Sequence, residues 1–133
     1  MKIALVDCFE GVDLLAIESN YDPAMQRGSG RPWFLVQRIM GGRGHLSNDQ
    51  ALDAVKRIVS RTQTNHAKLP AHVVLLHRSR ECNCPTLLRD LFSRDARLAP
   101  RLVLTEQYER TDWLRADGTV RTESHRQLAL SWG

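Results

Sequence analysis

Three residues capable of acid–base or metal chemistry stand where a folded chain would present them together. Glu18 closes the apolar segment 13–17 (DLLAI), and His77 closes the segment 72–76 (HVVLL) just before a run of polar residues. His45 lies in the glycine-rich loop GGRGHLSN, immediately before the start of a helix. In open α/β sheets, ligands gather at the carboxyl ends of the strands, so we expect Glu18 and His77 to face one pocket.

A carboxylate within hydrogen-bond reach of a histidine orients the imidazole ring and tunes its pKa, which predicts a proton shuttle. Ordinary interpretations remain open, because short motifs often occur by chance. His45 can cap or solvate a helix N-terminus, and Glu18 can pair with a surface arginine. Ser79 and Cys82 are poor candidates for nucleophiles because no partner base is identifiable. The remaining histidines lie in polar or connecting segments and are expected to be ordinary: His66, His72 and His125.

The chain is mildly basic, with a net charge of +4 and sixteen arginines against three lysines. Arginine offers a planar fork that suits phosphates and carboxylates, so a polyanionic partner is permitted. A GC-rich genome would produce the same bias with no functional meaning. Four arginines concentrate in one loop-rich region: Arg27, Arg31, Arg38 and Arg43.

The cysteine content indicates a reducing compartment. Cys8, Cys82 and Cys84 are too few for a disulfide framework, and a lone C-x-C without a second pair argues against a zinc knuckle. The first residues are too short an apolar run for a signal peptide, and no stretch reaches the length of a membrane span. We expect a soluble, cytoplasmic protein that forms one domain over residues 1–133.

Strands and helices alternate along the chain, which predicts an α/β fold. Ser47 and Gln50 form a capping box before apolar residues at helical spacing, so a helix is expected at about 48–61. The remaining predictions are strands at 13–17, 72–77 and 101–107, a weaker strand at 3–6, a helix at 85–94, and a hairpin over 113–122 that turns at Asp117-Gly118.

A helix is also predicted over 31–40, with Pro32 at its first position. Its apolar residues are expected to form a buried face: Trp33, Phe34, Val36 and Ile39. The sequence of the tail from Glu123 to Gly133 does not favour a helix or a strand.

Four blocks of the sequence resemble consecutive blocks of metallo-β-lactamase-fold hydrolases, in the bacterial exonuclease-like subgroup related to ribonuclease Z. The blocks are VDLLAIESNYDPAM, RPWFLVQRI, GRGHLSNDQAL and VVLLHRSRECNCPTLL. The resemblance runs from about Phe9 to Ala116, in the same order and with matching spacing, and leaves 117–133 as a hairpin and tail.

The resemblance implies a role for each candidate residue. His77 in LLHRS is similar to the last metal-ligand histidine of a dinuclear zinc or manganese site. Glu18 of ESN and His45 of GHLSN are similar to the pair that assists proton transfer to the leaving group in the ribonuclease Z relatives. The implied activity is that of a metal-dependent phosphodiesterase or nuclease.

The sequence departs from the family in its metal ligands. The family binds its metals mainly through an H-x-H-x-D-H motif, and this chain contains none. Arg78 also stands where a leucine usually follows the histidine. The implied fold is therefore the C-terminal half of the αββα sandwich, a small mixed sheet with helices on one face. One histidine cannot hold two metals, since zinc takes about four ligands, so this half lacks most of its metal site.

Three functions are consistent with these observations. The first is a nuclease or phosphodiesterase present as a partial domain, complemented by an N-terminal half. The second is a non-catalytic half-domain that acts as a binding or dimerisation module, with an apolar sheet face left for a partner. The third is a nucleic-acid-binding protein that uses the arginine-rich loop, although the region holds few aromatic residues beyond Trp33 and Phe34.

Overall fold

The computed structural model describes residues 6–122. It is an α/β structure with a three-stranded parallel sheet in the order β1-β2-β3 and helices in the connections. The strands are β1 (Leu14–Glu18), β2 (His72–Leu76) and β3 (Leu102–Leu104), and a separate hairpin pairs β4 (Trp113–Leu114) with β5 (Val120–Arg121). The helices are α1 (Pro23–Arg27), α2 (Trp33–Met40), α3 (Asn48–Thr64) and α4 (Pro85–Ser93), followed by a 3₁₀ turn at Ala99–Arg101.

The sheet differs from the sequence-based expectation of a mixed sheet. Both strand pairs are parallel, because helices connect the end of each strand to the start of its neighbour. Within residues 6–122, antiparallel pairing between strands occurs in the hairpin, which belongs to a different sheet. The third strand is also shorter than the expected 101–107, because the 3₁₀ turn ends at Arg101 and the pairing with β2 ends at Leu104.

Helix α3 begins where the capping box predicts. The Ser47 hydroxyl accepts from the backbone N–H of Gln50, and the side-chain oxygen of Gln50 accepts from the backbone N–H of Ser47. Two of the otherwise unpaired N–H groups of the first turn are thereby satisfied. The helix continues to Thr64, three residues beyond the expected end, with Asn65 as its C-cap.

One face of the sheet packs against the helices. Leu15, Val73 and Leu75 form a buried cluster with apolar residues of α3 and α4: Ala51, Val55, Ile58, Val59, Leu88 and Phe92. Burying each of the valine, leucine, isoleucine and phenylalanine side chains contributes about 1.5–3 kcal/mol to stability. The expectation that helices lie on one face agrees with this cluster.

The opposite face of the sheet, which we call the outer face, consists of Leu14, Ala16, Val74, Leu76 and Val103. Leu14 and Leu76 are 43% and 39% exposed. His72 Nε2 donates to the Arg115 carbonyl oxygen at 3.0 Å, which holds the hairpin at the N-terminal end of β2. The outer face thus remains partly open along β1 and at the C-terminal end of β2.

Helix α2 contradicts the expectation of a buried face on its N-terminal half. Trp33 and Phe34 are 76% and 68% exposed, and no residue of the helix is buried. The helix is short and follows a proline cap, so only part of its surface reaches the rest of the chain.

Two expectations fall largely outside the described residues. Of the strand predicted at 3–6, Val6 alone lies within the described residues, and it is part of a helical turn. The tail 123–133, with His125, lies entirely outside them. None of the helices within residues 6–122 has the length and apolar composition needed to cross a membrane.

Asp95 and Arg97 form a local ion pair that links the end of α4 to α3. Both carboxylate oxygens of Asp95 accept from the Arg97 guanidinium, at 2.9 Å and 2.6 Å, and Arg97 also donates to Gln63 at 2.7 Å. The Arg97 side chain lowers the pKa of Asp95 from 3.8 to about 2. The ionised carboxylate is therefore favoured in the folded state.

We predict that Asp95→Asn lowers the free energy of unfolding at pH 7 by about 1–2 kcal/mol. Because the folded-state pKa is depressed, the contribution is complete above the ordinary pKa and is lost as the pH falls from about 4 to about 2. Urea unfolding at a series of pH values measures the gap between wild type and variant. Asp90→Asn, on the exposed side of α4, is the matched control; a gap that stayed constant down to pH 2 would contradict the assignment.

Candidate metal and acid–base site

The fold brings Glu18, His45 and His77 together at the carboxyl end of the sheet. Glu18 is the last residue of β1, and His77 follows the last residue of the adjacent strand β2. His45 reaches the same point from the loop between α2 and α3. One possible ligand atom from each side chain lies within 4.8 Å of those of the other two.

A single carboxylate oxygen joins the two imidazoles. His45 Nδ1 lies 2.6 Å from Glu18 Oε1, and His77 Nδ1 lies 2.7 Å from the same oxygen. The second oxygen, Oε2, accepts from the Leu46 backbone N–H at 3.2 Å. The two rings meet edge to face, with centroids 4.9 Å apart. Distances this short are typical of hydrogen bonds to a charged acceptor.

The charge of Glu18 follows from competing influences. Burial is the largest and raises the pKa, whereas the hydrogen bonds from His77, His45 and the Leu46 N–H lower it, and together they prevail. The pKa of Glu18 therefore lies below its ordinary value, and the side chain is ionised at neutral pH. Because a carboxylate only accepts hydrogen bonds, both imidazoles donate through Nδ1. Their Nε2 atoms are left to bind a metal or exchange a proton.

The backbone around the two histidines is adapted to this arrangement. His77 has a φ of 55°, in the left-handed region that non-glycine residues rarely adopt. Gly44 lies so close to α2 that a β-carbon there would collide with the Arg38 and Ile39 carbonyl oxygens. The His45 N–H donates to the Ile39 oxygen at 3.1 Å, so the loop folds back on the helix that precedes it.

Beneath the site lies a buried amide network that the sequence analysis missed. Asn48 and Asn83 exchange reciprocal side-chain hydrogen bonds, both at 2.9 Å, and Ser19 Oγ donates to Asn48 Oδ1 at 2.8 Å. Asn83 Nδ2 also lies 3.0 Å from the carbonyl oxygens of Ser19 and Asn20. The repeated Ser-Asn after Glu18 and after His45 is the sequence feature that could have indicated this network.

This network ties together the three segments that carry the site residues. The side-chain Nδ2 of Asn20 donates to the His77 carbonyl oxygen at 2.7 Å. The backbone carbonyl oxygen of Asn20 accepts from the Ser79 N–H at 2.8 Å. The side chain of Asn20 thus holds the carbonyl group of the residue with positive φ. The position of His77 depends on a residue that lies 57 positions earlier in the chain.

The other candidate residues have structural contacts. Ser79 Oγ accepts from the Cys82 N–H at 3.0 Å, and Cys82 is fully buried, which agrees with their being poor nucleophiles. Arg78 forms an ion pair with Glu106, so its positive charge is compensated despite its position beside His77. Of the four arginines in the loop-rich region, Arg31 pairs with Glu81 at 2.6 Å.

The donor set fits one divalent metal ion better than two. A catalytic zinc ion takes about three protein ligands, and a carboxylate with two imidazoles supplies that number only if both Nδ1 atoms lose the protons that they donate to Glu18. Alternatively, His77 Nε2 binds the metal and Glu18 orients the ring from behind, an arrangement common at metal sites. A second metal ion would need further ligands beyond this cluster.

Comparison with known proteins gives partial similarity to nucleases. No protein-family model matches the chain. It is 31% identical over 80 residues to Exodeoxyribonuclease YycJ of Bacillus anthracis, a match that covers 60% of this chain and 28% of the relative. It is 36% identical over 78 residues to Exodeoxyribonuclease WalJ of Streptococcus pneumoniae serotype 2, covering 59% of this chain and 26% of the relative. The chain thus matches little more than a quarter of the length of these relatives.

We predict that both His45 and His77 carry their proton on Nδ1 at neutral pH, because the ionised Glu18 accepts from that atom. Two-dimensional ¹⁵N–¹H NMR of the imidazole rings distinguishes the tautomers, with the exposed His66 as an internal reference. In Glu18→Ala both rings should lose this preference and resemble His66. An Nε2–H tautomer at either ring in the wild type would refute the arrangement.

A second prediction concerns the amide network. Asn83→Ala leaves several buried polar groups without partners, so we expect the free energy of unfolding to fall by about 2–4 kcal/mol. Asn65→Ala is the control, because the side-chain amide that it removes donates an exposed hydrogen bond to Glu10. This variant should lower the free energy of unfolding by no more than about 0.5 kcal/mol. Chemical denaturation measures both. Equal costs for the two variants would show that the buried network does not stabilise the fold.

Proposed function

We propose that this chain is the C-terminal part of a metallo-β-lactamase-fold nuclease that hydrolyses phosphodiester bonds in DNA. The observation that carries the proposal is the pair of short hydrogen bonds from His45 and His77 to one oxygen of Glu18. The partial similarity to proteins named exodeoxyribonucleases supports DNA as the substrate. The resemblance of the sequence blocks supports the fold family and the division of roles.

In this proposal, His45 is the general acid. Glu18 accepts from Nδ1 throughout the reaction. Nε2 takes a proton from the solvent before each turnover, and the carboxylate of Glu18 stabilises the positive charge of the ring in that form. Water attacks phosphorus and loses one proton to the solvent, the bond from phosphorus to the leaving oxygen breaks, and that oxygen takes the proton from His45 Nε2. The ring that remains is the neutral Nδ1–H tautomer, which is the form that Glu18 favours. Glu18 therefore keeps the same hydrogen bond before and after the transfer.

We assign His77 as a metal ligand through Nε2, with Glu18 holding the ring. A zinc or manganese ion, when bound, would supply positive charge to the phosphoryl oxygens and lower the pKa of water. The further ligands that such a site needs would come from a segment carrying an H-x-H-x-D-H motif, supplied as a complementing N-terminal half. The small number of cysteines fits a cytoplasmic protein with reduced thiols.

A second candidate function is a non-catalytic half-domain that binds a partner or dimerises. The observation that favours it is the outer face of the sheet, where Leu14 and Leu76 are substantially exposed. Exposed apolar area on a sheet face commonly marks an interaction surface. Analytical ultracentrifugation together with an assay of DNA hydrolysis distinguishes the two functions. A stable dimer without metal-dependent hydrolysis supports the second function.

The test uses the protein isolated from its own cells, with any segment or partner that accompanies it. We predict metal-dependent release of nucleotides from labelled DNA, abolished by a chelator and restored by zinc or manganese. His45→Ala should lower kcat by at least about 100-fold, because the leaving oxygen loses its acid. His72→Ala, which removes a histidine at the opposite end of β2, is the control. Unchanged kcat in His45→Ala would contradict the proposed role.

The metal assignment has its own measurement. The purified 133-residue chain should bind zinc weakly, with at most one ion per chain, and show little or no hydrolysis, because too few ligands are present. Elemental analysis after dialysis gives the stoichiometry, and His77→Ala should abolish binding. Tight binding of two ions by this chain would show that its site is complete.

A further inference from the structure

Helix α2, whose last turn contacts the loop that carries His45, exposes two large aromatic side chains in its first turn. Trp33 and Phe34 are 76% and 68% exposed, and the exposed Arg38 lies one helical turn beyond Phe34. Aromatic side chains of this size are normally buried, and neighbouring ones left in solvent indicate an interaction surface.

The segment that contains this helix is uniformly positive. Residues 23–44 include four arginines and no aspartate or glutamate. Arg31 is paired with Glu81, whereas three exposed arginines form no ion pair with any residue in the described part of the chain: Arg27, Arg38 and Arg43. Uncompensated charge of one sign attracts a polyanion.

The positive segment joins the candidate site directly. The Ile39 carbonyl oxygen, in the last turn of α2, accepts from the His45 N–H at 3.1 Å. At the other end of the segment, Arg31 pairs with Glu81 in the loop that follows His77. The exposed helix is therefore connected to the loops that carry both histidines.

A second pair of the same chemical type lies in the region after His77. The Arg80 guanidinium stands over the ring of Tyr108, 5.5 Å from the ring centroid, and Tyr108 is 80% exposed. Arg80 is adjacent in sequence to Glu81, the partner of Arg31. Both histidine-bearing loops are thus accompanied by an exposed aromatic ring and an arginine.

We propose that Trp33, Phe34, Arg38 and Arg43 form a binding surface for single-stranded DNA, which leads a strand end to Glu18, His45 and His77. Exposed rings stack on unpaired bases, and arginines bind the phosphates between them. A duplex hides its base faces by stacking them on each other, so a surface built on aromatic rings selects single strands. The inference rests on the proposed function for its choice of DNA, and it adds the form of DNA that is bound.

The test is the binding of a fluorescein-labelled oligothymidylate to the full chain, followed by anisotropy with a chelator present so that no hydrolysis occurs. We expect the single strand to bind at least about tenfold more tightly than a duplex of equal length. The double variant Trp33→Ala/Phe34→Ala should weaken single-strand binding by about tenfold or more. Arg38→Glu should weaken it as well and reduce its dependence on salt.

Matched controls lie elsewhere on the surface. Trp113→Ala removes a 62% exposed tryptophan from the hairpin at the opposite end of β2, and Arg94→Glu reverses an exposed arginine after α4. Both should bind the oligonucleotide within about twofold of wild type. Circular dichroism and thermal unfolding check that each variant is folded. If the aromatic double variant is unfolded, the single-strand affinity of Arg38→Glu tests the proposed surface.

Three results would overturn the inference: equal affinity for duplex and single strand, unchanged binding by the aromatic double variant, or a dimer that this variant dissociates while DNA binding persists. The last would identify the surface as a contact between two copies. Binding as predicted without hydrolysis by the protein from its own cells would refute the proposed function alone. Hydrolysis that survives in the double variant with unchanged KM would refute the binding surface alone.

Discussion

The reciprocal amide pair between Asn48 and Asn83 is the interaction on which the geometry of the candidate site depends. Each side chain donates to the other at 2.9 Å in a region closed to solvent. Since a buried amide without partners is costly, the segments that supply these partners are held at fixed positions. Ser19, at the end of β1, bonds to Asn48 at the start of α3, and Asn83 lies in the loop after β2. A polar core thus fixes three segments that an apolar core would position less specifically.

On this foundation, Glu18 sets the chemistry. One negative charge, stabilised against its own burial by three hydrogen bonds, determines the tautomer of two imidazoles. The arrangement places the reactive Nε2 atoms of both rings under the control of one residue. It serves a proton relay and a metal ligand equally well, because both functions need an oriented ring with a predictable free nitrogen. The cost is local: His77 adopts a left-handed backbone conformation, and Gly44 must lack a side chain.

The distribution of apolar surface gives the fold two unequal sides. The inner face of the sheet is covered by α3 and α4, whereas the outer face retains exposed leucines, and α2 exposes aromatic rings in a positively charged segment. These two surfaces differ in chemistry. The outer face is aliphatic and suits another protein segment, while the surface of α2 combines rings with arginines and suits a nucleic acid.

Much of the framework could be predicted from the sequence, because it depends on local patterns. The capping box at Ser47 placed the start of α3, the apolar segments placed β1 and β2, and Asp117-Gly118 placed the hairpin turn. The positions of Glu18 and His77 at strand ends suggested a shared edge. Tertiary structure alone decided the rest. All three strands run parallel because the helical connections return the chain to the same end of the sheet. The exposure of Trp33 could not be predicted, because helical periodicity does not show which side of a short helix meets the core. The common oxygen of Glu18 and the pairing of Asn48 with Asn83 join residues between 27 and 59 positions apart, and contacts at such separations have no local signature in the chain.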